Sequence, residues 1–385
     1  MIMRISRNLQ LLYSSTFFTG FAFGYFRWVM PLLLMESGGA LVLGTVFSFS
    51  FLITAAVAFS GGILSDKVGR RLVIVCGTLL FALGATFILT SLLVPLLLVC
   101  GVVLISTSPS FYGPTIDALI TESTDEAYLG RAFSIVPILA LVGMSSGSGI
   151  LGYVTEELGI SYALLVSFAC AWAALLIRTF ITEPPRSEDS TSSPSLDQIK
   201  IITENRSLIF FVFIVIGSGL TGWFGIYFPS FLSEIMSISE KTIGILFSLF
   251  LISEAAMQPV AGWFTDRFNE KWSLAINLGG SGILILLFVF FSEIHVLTAI
   301  LFIVISSSLS GFYGVGYSVF IAHATHRGIR GTVYGGIETL NSLSSVPAPI
   351  IGALLWNESP FLAFIVIGVS NISFLLFLAK MKVKR

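Results

Sequence analysis

The stretch Gly62-Ile63-Leu64-Ser65-Asp66-Lys67-Val68-Gly69-Arg70-Arg71 sits between two long apolar runs and packs three cations and one carboxylate into a very short link. A tight reversal between two membrane helices needs glycine for its backbone geometry, and it needs charge to hold it at the water boundary. An excess of Lys and Arg marks that side as cytoplasmic. Composition agrees with the membrane reading. Of the 385 residues 55% are hydrophobic and 11% charged, with a mean hydropathy of +0.96, against about 25% charged in soluble domains. The net charge of -1 carries no information about partners, because the distribution of charge does.

A span needs roughly 20 mostly apolar residues. That rule predicts twelve, at about 9–34, 41–64, 72–93, 96–119, 131–153, 161–181, 207–232, 242–264, 272–291, 296–321, 332–355 and 360–380. The expected organisation is two six-helix halves, 1–181 and 207–385, joined by a solvated linker at 182–206 that is rich in Pro, Ser and charge. Of the 20 Lys and Arg, 18 are assigned to the even-numbered links and the two termini, Arg178 among them. Lys241 lies on the opposite side and Arg27 within a span. Both termini and the linker are therefore expected in the cytoplasm, in a multi-pass protein of the cell membrane. Arg4 and Arg7 lead into an apolar run with no small-residue cleavage site, so no cleavable signal peptide is expected. Cys76, Cys100 and Cys170 lie in apolar segments without metal-ligand or disulfide spacing, and His295, His323 and His326 are scattered. No metal site and no cofactor are expected.

The halves repeat. Gly44, Phe47, Ser48, Gly62 and Asp66 return two hundred residues later as Gly244, Phe247, Ser248, Gly262 and Asp266. Phe111-Tyr112-Gly113 returns as Phe312-Tyr313-Gly314, Gly130 as Gly331, and Pro31, Leu34 and Glu36 as Pro229, Leu232 and Glu234. The opening stretch, G-x-x-x-D-[RK]-x-G-[RK]-[RK], resembles the loop between helices 2 and 3 of major facilitator superfamily transporters and matches all six specified positions. Two parallel six-helix repeats around a central cavity are the arrangement of that fold, so the resemblance covers the whole chain. The second copy, Gly262 to Lys271, departs from the pattern: Asn269 stands for a glycine and Glu270 reverses a charge.

The resemblance implies an all-α membrane protein of the major facilitator fold, a secondary transporter working by alternating access and not an enzyme. It implies a cytoplasmic gate at Gly62, Asp66, Lys67, Gly69, Arg70, Arg71 and Arg131, with Asp266 and Arg267 in the second copy. Asp66 would meet the amino end of helix 11 near Gly331 and Thr332, where the helix dipole favours an anion, and so stabilise the outward-open state. A purely topological role for these charges is the alternative.

Ionisable groups at bilayer depth are costly and mark function by default. Arg27 in helix 1 reads as the buried cation that binds an anionic group of the solute. Glu254 in helix 8 reads as the acceptor of a coupling proton, since an apolar cavity disfavours its charged form. A structural Arg27–Glu254 pair accounts for the same residues. Glu338 and Asp117 are weaker candidates, as gates or as interface charges. Among aromatic residues, Phe23, Trp28, Tyr112, Trp223, Tyr227 and Tyr313 can stack on a solute, with Tyr112 and Tyr313 of the repeated FYG favoured and packing the simpler account of any one. Asn341 can hydrogen-bond the solute. Gly143-Met-Ser-Ser-Gly147-Ser-Gly149-Ile-Leu-Gly152 resembles the helix 5 motif of the family's drug–proton antiporters, with Ser148 for the proline and Leu151 for the paired glycine. Small residues that let two helices approach closely explain the run equally.

No G-x-x-x-x-G-K-[ST] is present, which favours a gradient over ATP as the driving force. The expected partners are a small-molecule solute, the bilayer and protons, with no nucleic acid and a monomeric state. The leading expectation is a proton-coupled transporter of a small anionic or amphipathic solute. Multidrug efflux by a drug/proton antiporter is the runner-up, and a transporter-like sensor or lipid-handling protein without net flux is the third reading.

Overall fold

The apolar runs form helices throughout the computed structural model, which describes residues 6–124, 129–183, 206–325 and 330–381. The first element, α1, covers Arg7–Val68 and is broken at Gly38 and Gly39, which leave helical geometry. Gly39 does so at φ +70°, a conformation that only glycine adopts freely. The two spans expected at 9–34 and 41–64 are thus the two legs of α1. There follow α2 (Arg70–Thr90), α3 (Leu96–Glu122), α4 (Leu129–Leu158) and α5 (Ile160–Thr179). After residue 205 come α6 (Arg206–Leu220), α7 (Phe224–Ser230) with a π turn at Phe231–Ile235, and α8 (Glu240–Phe268). Next are α9 (Glu270–Ala275), which runs through a π turn at Ile276–Gly280 into α10 (Ser281–Phe291), then α11 (Val296–Ser308) and α12 (Ser310–Ala324). The chain ends in α13 (Arg330–Ser345), α14 (Ala348–Glu358) and α15 (Pro360–Lys380).

Ten stretches among the described residues are helical, long and apolar enough to cross a membrane, and the second leg of α1 adds an eleventh crossing. The span expected at 332–355 is divided instead. α13 ends at Ser345 and α14 begins after Pro347, so neither piece reaches the length of a span alone. Proline lacks the N–H donor and its ring crowds the preceding turn, and the repeat Val346-Pro347-Ala348-Pro349 does so twice.

The described chain forms two compact units. Unit 1 comprises residues 1–190 together with 237–248, and unit 2 comprises 191–236 and 249–385. The first turns of α8 therefore belong with unit 1, beyond the expected boundary of the first half. In unit 1, α1 packs on α3, α4 and α5, and α2 packs on α3 and α5. The α1–α4 contact is unusually close. A Cβ on Gly24 would fall on the Met144 carbonyl and one on Gly147 on the Phe21 carbonyl, and Gly20 and Gly143 face Ala140 and Phe17 in the same way. Small residues here let two backbones meet, as in other membrane helix pairs, which accounts for the glycine run of α4 by packing. In unit 2, α6, α12, α13, α15 and the π turn at Ile276–Gly280 share an apolar cluster that includes Phe211, Leu278, Tyr317, Phe320 and Leu378. A second group of rings, Phe228, Phe231, Phe288 and Phe364, meets at centroid distances of 4.8 to 6.3 Å, within the range of favourable aromatic contact.

Candidate functional site

Unit 1 holds a largely apolar, partly open cavity of about 370 Å³. Its walls come from the first leg of α1 (Thr16, Thr19, Phe23), from α3 (Tyr112, Asp117) and from the apolar face of α4, with Arg178 of α5. Helical spacing explains the grouping, since Thr16, Thr19 and Phe23 recur at three and four residues along one face of α1. Tyr112 reaches the wall because Gly77 of α2 leaves room for it. A Cβ at Gly77 would stand 2.8 Å from the Tyr112 ring.

Arg178 is the residue that sequence reasoning missed. It was counted among the boundary cations, yet its exposure is 1%. Its Nε donates to Ser15 Oγ at 3.1 Å and its Nη1 to Thr78 Oγ1 at 2.6 Å. Each of those hydroxyls gives its own proton to a backbone carbonyl, Leu12 and Ile74 respectively, so both present lone pairs to the guanidinium. The guanidinium carbon lies 4.7 Å from the centre of the Tyr112 ring, a cation–π contact. Among the described residues no carboxylate pairs with Arg178. The signal was in the repeat: residue 378, its counterpart, is a leucine.

Arg27 is exposed on α1 of unit 1. Glu254 is half-buried on α8 of unit 2. Trp28 and Tyr227 are fully buried, Trp28 edge-on to Tyr25 at 5.0 Å and Tyr227 donating to the Pro349 carbonyl at 2.9 Å. Trp223 is likewise buried and donates to the Ala363 carbonyl. Glu338 accepts a hydrogen bond from Tyr317 at 2.9 Å, and Tyr313 stands 5.8 Å from the same ring. Asn341 is half-buried, with its side-chain oxygen near Gly219. Among the described residues no group of three or more His, Cys, Asp or Glu side chains is arranged to hold a metal ion.

The turn that opened the sequence reading is built around Gly69, at φ +105°. The Glu183 carboxylate, just after α5, accepts from the Arg70 N–H at 2.6 Å and the Arg71 N–H at 2.9 Å, capping α2 where the helix dipole favours an anion. The Arg70 guanidinium pairs with Glu122 at 3.1 Å, and Arg71 Nη2 donates to the Thr179 carbonyl at 2.8 Å. In unit 2, Asn269, at φ 140°, accepts from the Trp272 N–H, and Lys271 Nζ donates to the Ala379 and Met381 carbonyls at 3.0 and 2.8 Å. Asp266 is exposed, and Arg267 lies 5.7 Å from the Trp263 ring centre. The side chains of Asp66, Lys67 and Arg131, the surroundings of Gly62, and the predicted contact of Asp66 with residues 331 and 332 fall outside the described residues.

The chain matches the family model for the Major Facilitator Superfamily over residues 12–236 and 210–385. It is 25% identical to an uncharacterized MFS-type transporter of Methanocaldococcus jannaschii, over 94% of this chain and 91% of that one. It is 23% identical to the cis,cis-muconate transport protein of Acinetobacter baylyi (85% and 82% covered). It is also 23% identical to the quinolone resistance protein NorA of Staphylococcus aureus (95% and 94% covered). The fold matches the crystal structure of the nucleoside transporter NupG with a TM-score of 0.78 at 16% identity, over 98% of this chain and all of that one. The protein belongs to the major facilitator superfamily and is a non-enzymatic, multi-pass secondary transporter of small solutes.

Proposed function

We propose that the protein moves a small organic solute, anionic or amphipathic, by alternating access, and that a proton gradient drives it. The observation that carries this reading is the unit 1 cavity. It is large enough for a small organic molecule, mostly hydrocarbon, and furnished with a few polar groups, as small-molecule sites generally are. Lys and Arg placement supports a cytoplasmic location for both termini. Glu254 is the assigned carrier of the coupling proton, because a carboxyl group at bilayer depth is a functional group by default. The similarity to a muconate transport protein supports an organic acid as solute, and the similarity to a quinolone resistance protein keeps efflux of lipophilic compounds as the competing reading.

Counterflow in proteoliposomes tests it. Vesicles preloaded with one member of a panel of carboxylates, sugars, nucleosides and lipophilic cations should take up the same labelled solute, and an imposed pH gradient should drive its accumulation. Exchange of lipophilic cations alone would favour drug efflux, and exchange of nothing on the panel would favour a sensor.

A further inference from the structure

The repeat supplies a control for Arg178. Two hundred residues after Thr78 and Arg178 stand Leu278 and Leu378, each 2% exposed in the apolar cluster of unit 2. Tyr313, the repeat partner of Tyr112, packs against that same cluster. The fold therefore fills this position with two leucines in one unit and with a guanidinium and a hydroxyl in the other. Leucines are cheap to bury, whereas a charge held only by neutral groups keeps much of its desolvation cost. Packing does not require Arg178. What it adds is a positive charge at the wall of the cavity, and a buried charge with no carboxylate partner among the described residues points to an anion that comes and goes.

We propose that Arg178 and Tyr112 form the subsite for the carboxylate of an organic acid, whose apolar body lies in the hydrocarbon part of the cavity near Phe23. This rests on the reading of that cavity as the solute site. Ser15 and Thr78 occupy two of the five guanidinium N–H donors. They hold the group in place through its Nε and Nη1, and no carboxylate among the described residues compensates its charge. A planar guanidinium matches a carboxylate in shape and donates charge-assisted hydrogen bonds to it. Asp117 is the one carboxylate among the described residues lining the cavity. It opposes an entering anion, so its protonation or replacement favours binding. The site thus makes two opposite predictions from two residues on different helices.

The test is binding of benzoate, hexanoate and muconate to the purified full-length protein, beside benzamide, benzamidine and inorganic phosphate. The carboxylates should bind at least about tenfold more tightly than benzamide, as expected for charge-assisted hydrogen bonds. The double variant Arg178→Leu/Thr78→Leu copies the unit 2 pair and should remain folded, with a cooperative melting transition, while losing that preference. Asp117→Asn should raise carboxylate affinity several-fold. Equal binding of benzoate and benzamide, carboxylate binding unaltered in the leucine variant, or binding of phosphate alone would each overturn the subsite. Counterflow by wild type separates the two levels. Transport of carboxylates that ignores Arg178 removes the subsite and leaves the transporter reading standing, whereas no counterflow of any solute removes the reading on which it rests.

Discussion

Glu270 Oε1 lies 3.2 Å from His323 Nδ1, in unit 2, at the positions that Arg70 and Glu122 hold in unit 1. The repeat has exchanged the order of the partners. The acidic partner is now at the start of the helix and the basic one at the end of its neighbour. Asn269 takes the place of Gly69, and Lys271, like Arg71, reaches carbonyls at the end of the last helix of its unit. What reads in sequence as a decayed second copy is a compensated one.

The exchange predicts non-additive mutations. Glu270 is almost fully buried, while the His323 side chain is 61% exposed. Removing the partner of a buried carboxylate costs more than removing an exposed partner from a surface pair. His323→Ala should therefore lower stability by about 1–2 kcal/mol. The double change Glu270→Arg/His323→Glu restores the unit 1 order and should recover most of the loss seen with Glu270→Arg alone. Thermal melting in detergent of wild type, Glu270→Arg, His323→Glu and the double variant forms a double-mutant cycle, and simple additivity would show that the pair does not couple.

The α2 cap gives a second prediction. Glu183 satisfies two of the free N–H groups at the helix start, and Gly69 makes room for it, since a Cβ there would stand 2.8 Å from the carboxylate. Glu183→Ala should cost about 1 kcal/mol, within the usual range for a lost cap. Gly69→Ala should cost more, because it adds backbone strain at φ +105° and displaces the cap as well. Combining the two should cost less than their sum, a result that melting curves of the three variants can reject.

The fold was legible because membrane helices announce themselves by length and composition, and because the repeat offsets tie the halves together. The break at Gly38–Gly39 and the division at Pro347 follow from residues visible in the sequence. The site was less legible. Arg27 stands out as a cation inside an apolar run, but composition does not say which way residue 27 points. Arg178 sits three residues before Ile181, at the end of a span, where snorkelling cations are common, so its position hid its burial. Only the comparison with Leu378 exposes it.

The α1–α4 contact predicts a sharp contrast between glycines. Gly147→Val places two methyl groups where the Phe21 carbonyl lies and should cost on the order of 3 kcal/mol or more, because overpacking two backbones leaves no flexible side chain to yield. Gly225→Ala, where nothing lies within 4 Å of the new Cβ, should be neutral or stabilising by up to about 1 kcal/mol through helix propensity. Yield and monodispersity of the two variants in detergent decide it. Comparable losses would mean that the α1–α4 approach is not what the glycine run serves.

The start of α8 gives the last prediction. Ser145 Oγ meets Ser248 Oγ at 2.7 Å, Ser148 Oγ donates to the Gly244 carbonyl at 3.1 Å, and Gly152 faces Gly244 so closely that a Cβ on either would stand 2.9 Å from the other's Cα. Contact through glycine and hydroxyl groups is tight but buries little hydrocarbon, so it can part at modest cost. Alternating access of the kind proposed rocks one group of helices against another, and α4 against α8 is a contact suited to that motion. With Cys76, Cys100 and Cys170 replaced by serine, Ser145→Cys and Ser248→Cys together should form a disulfide under oxidation, since the two side-chain oxygens already touch. Counterflow should then stop and return on addition of a reductant, while either single cysteine variant transports normally throughout. If transport continues with the disulfide in place, α4 and the start of α8 move as one body, and the path must open between other helices.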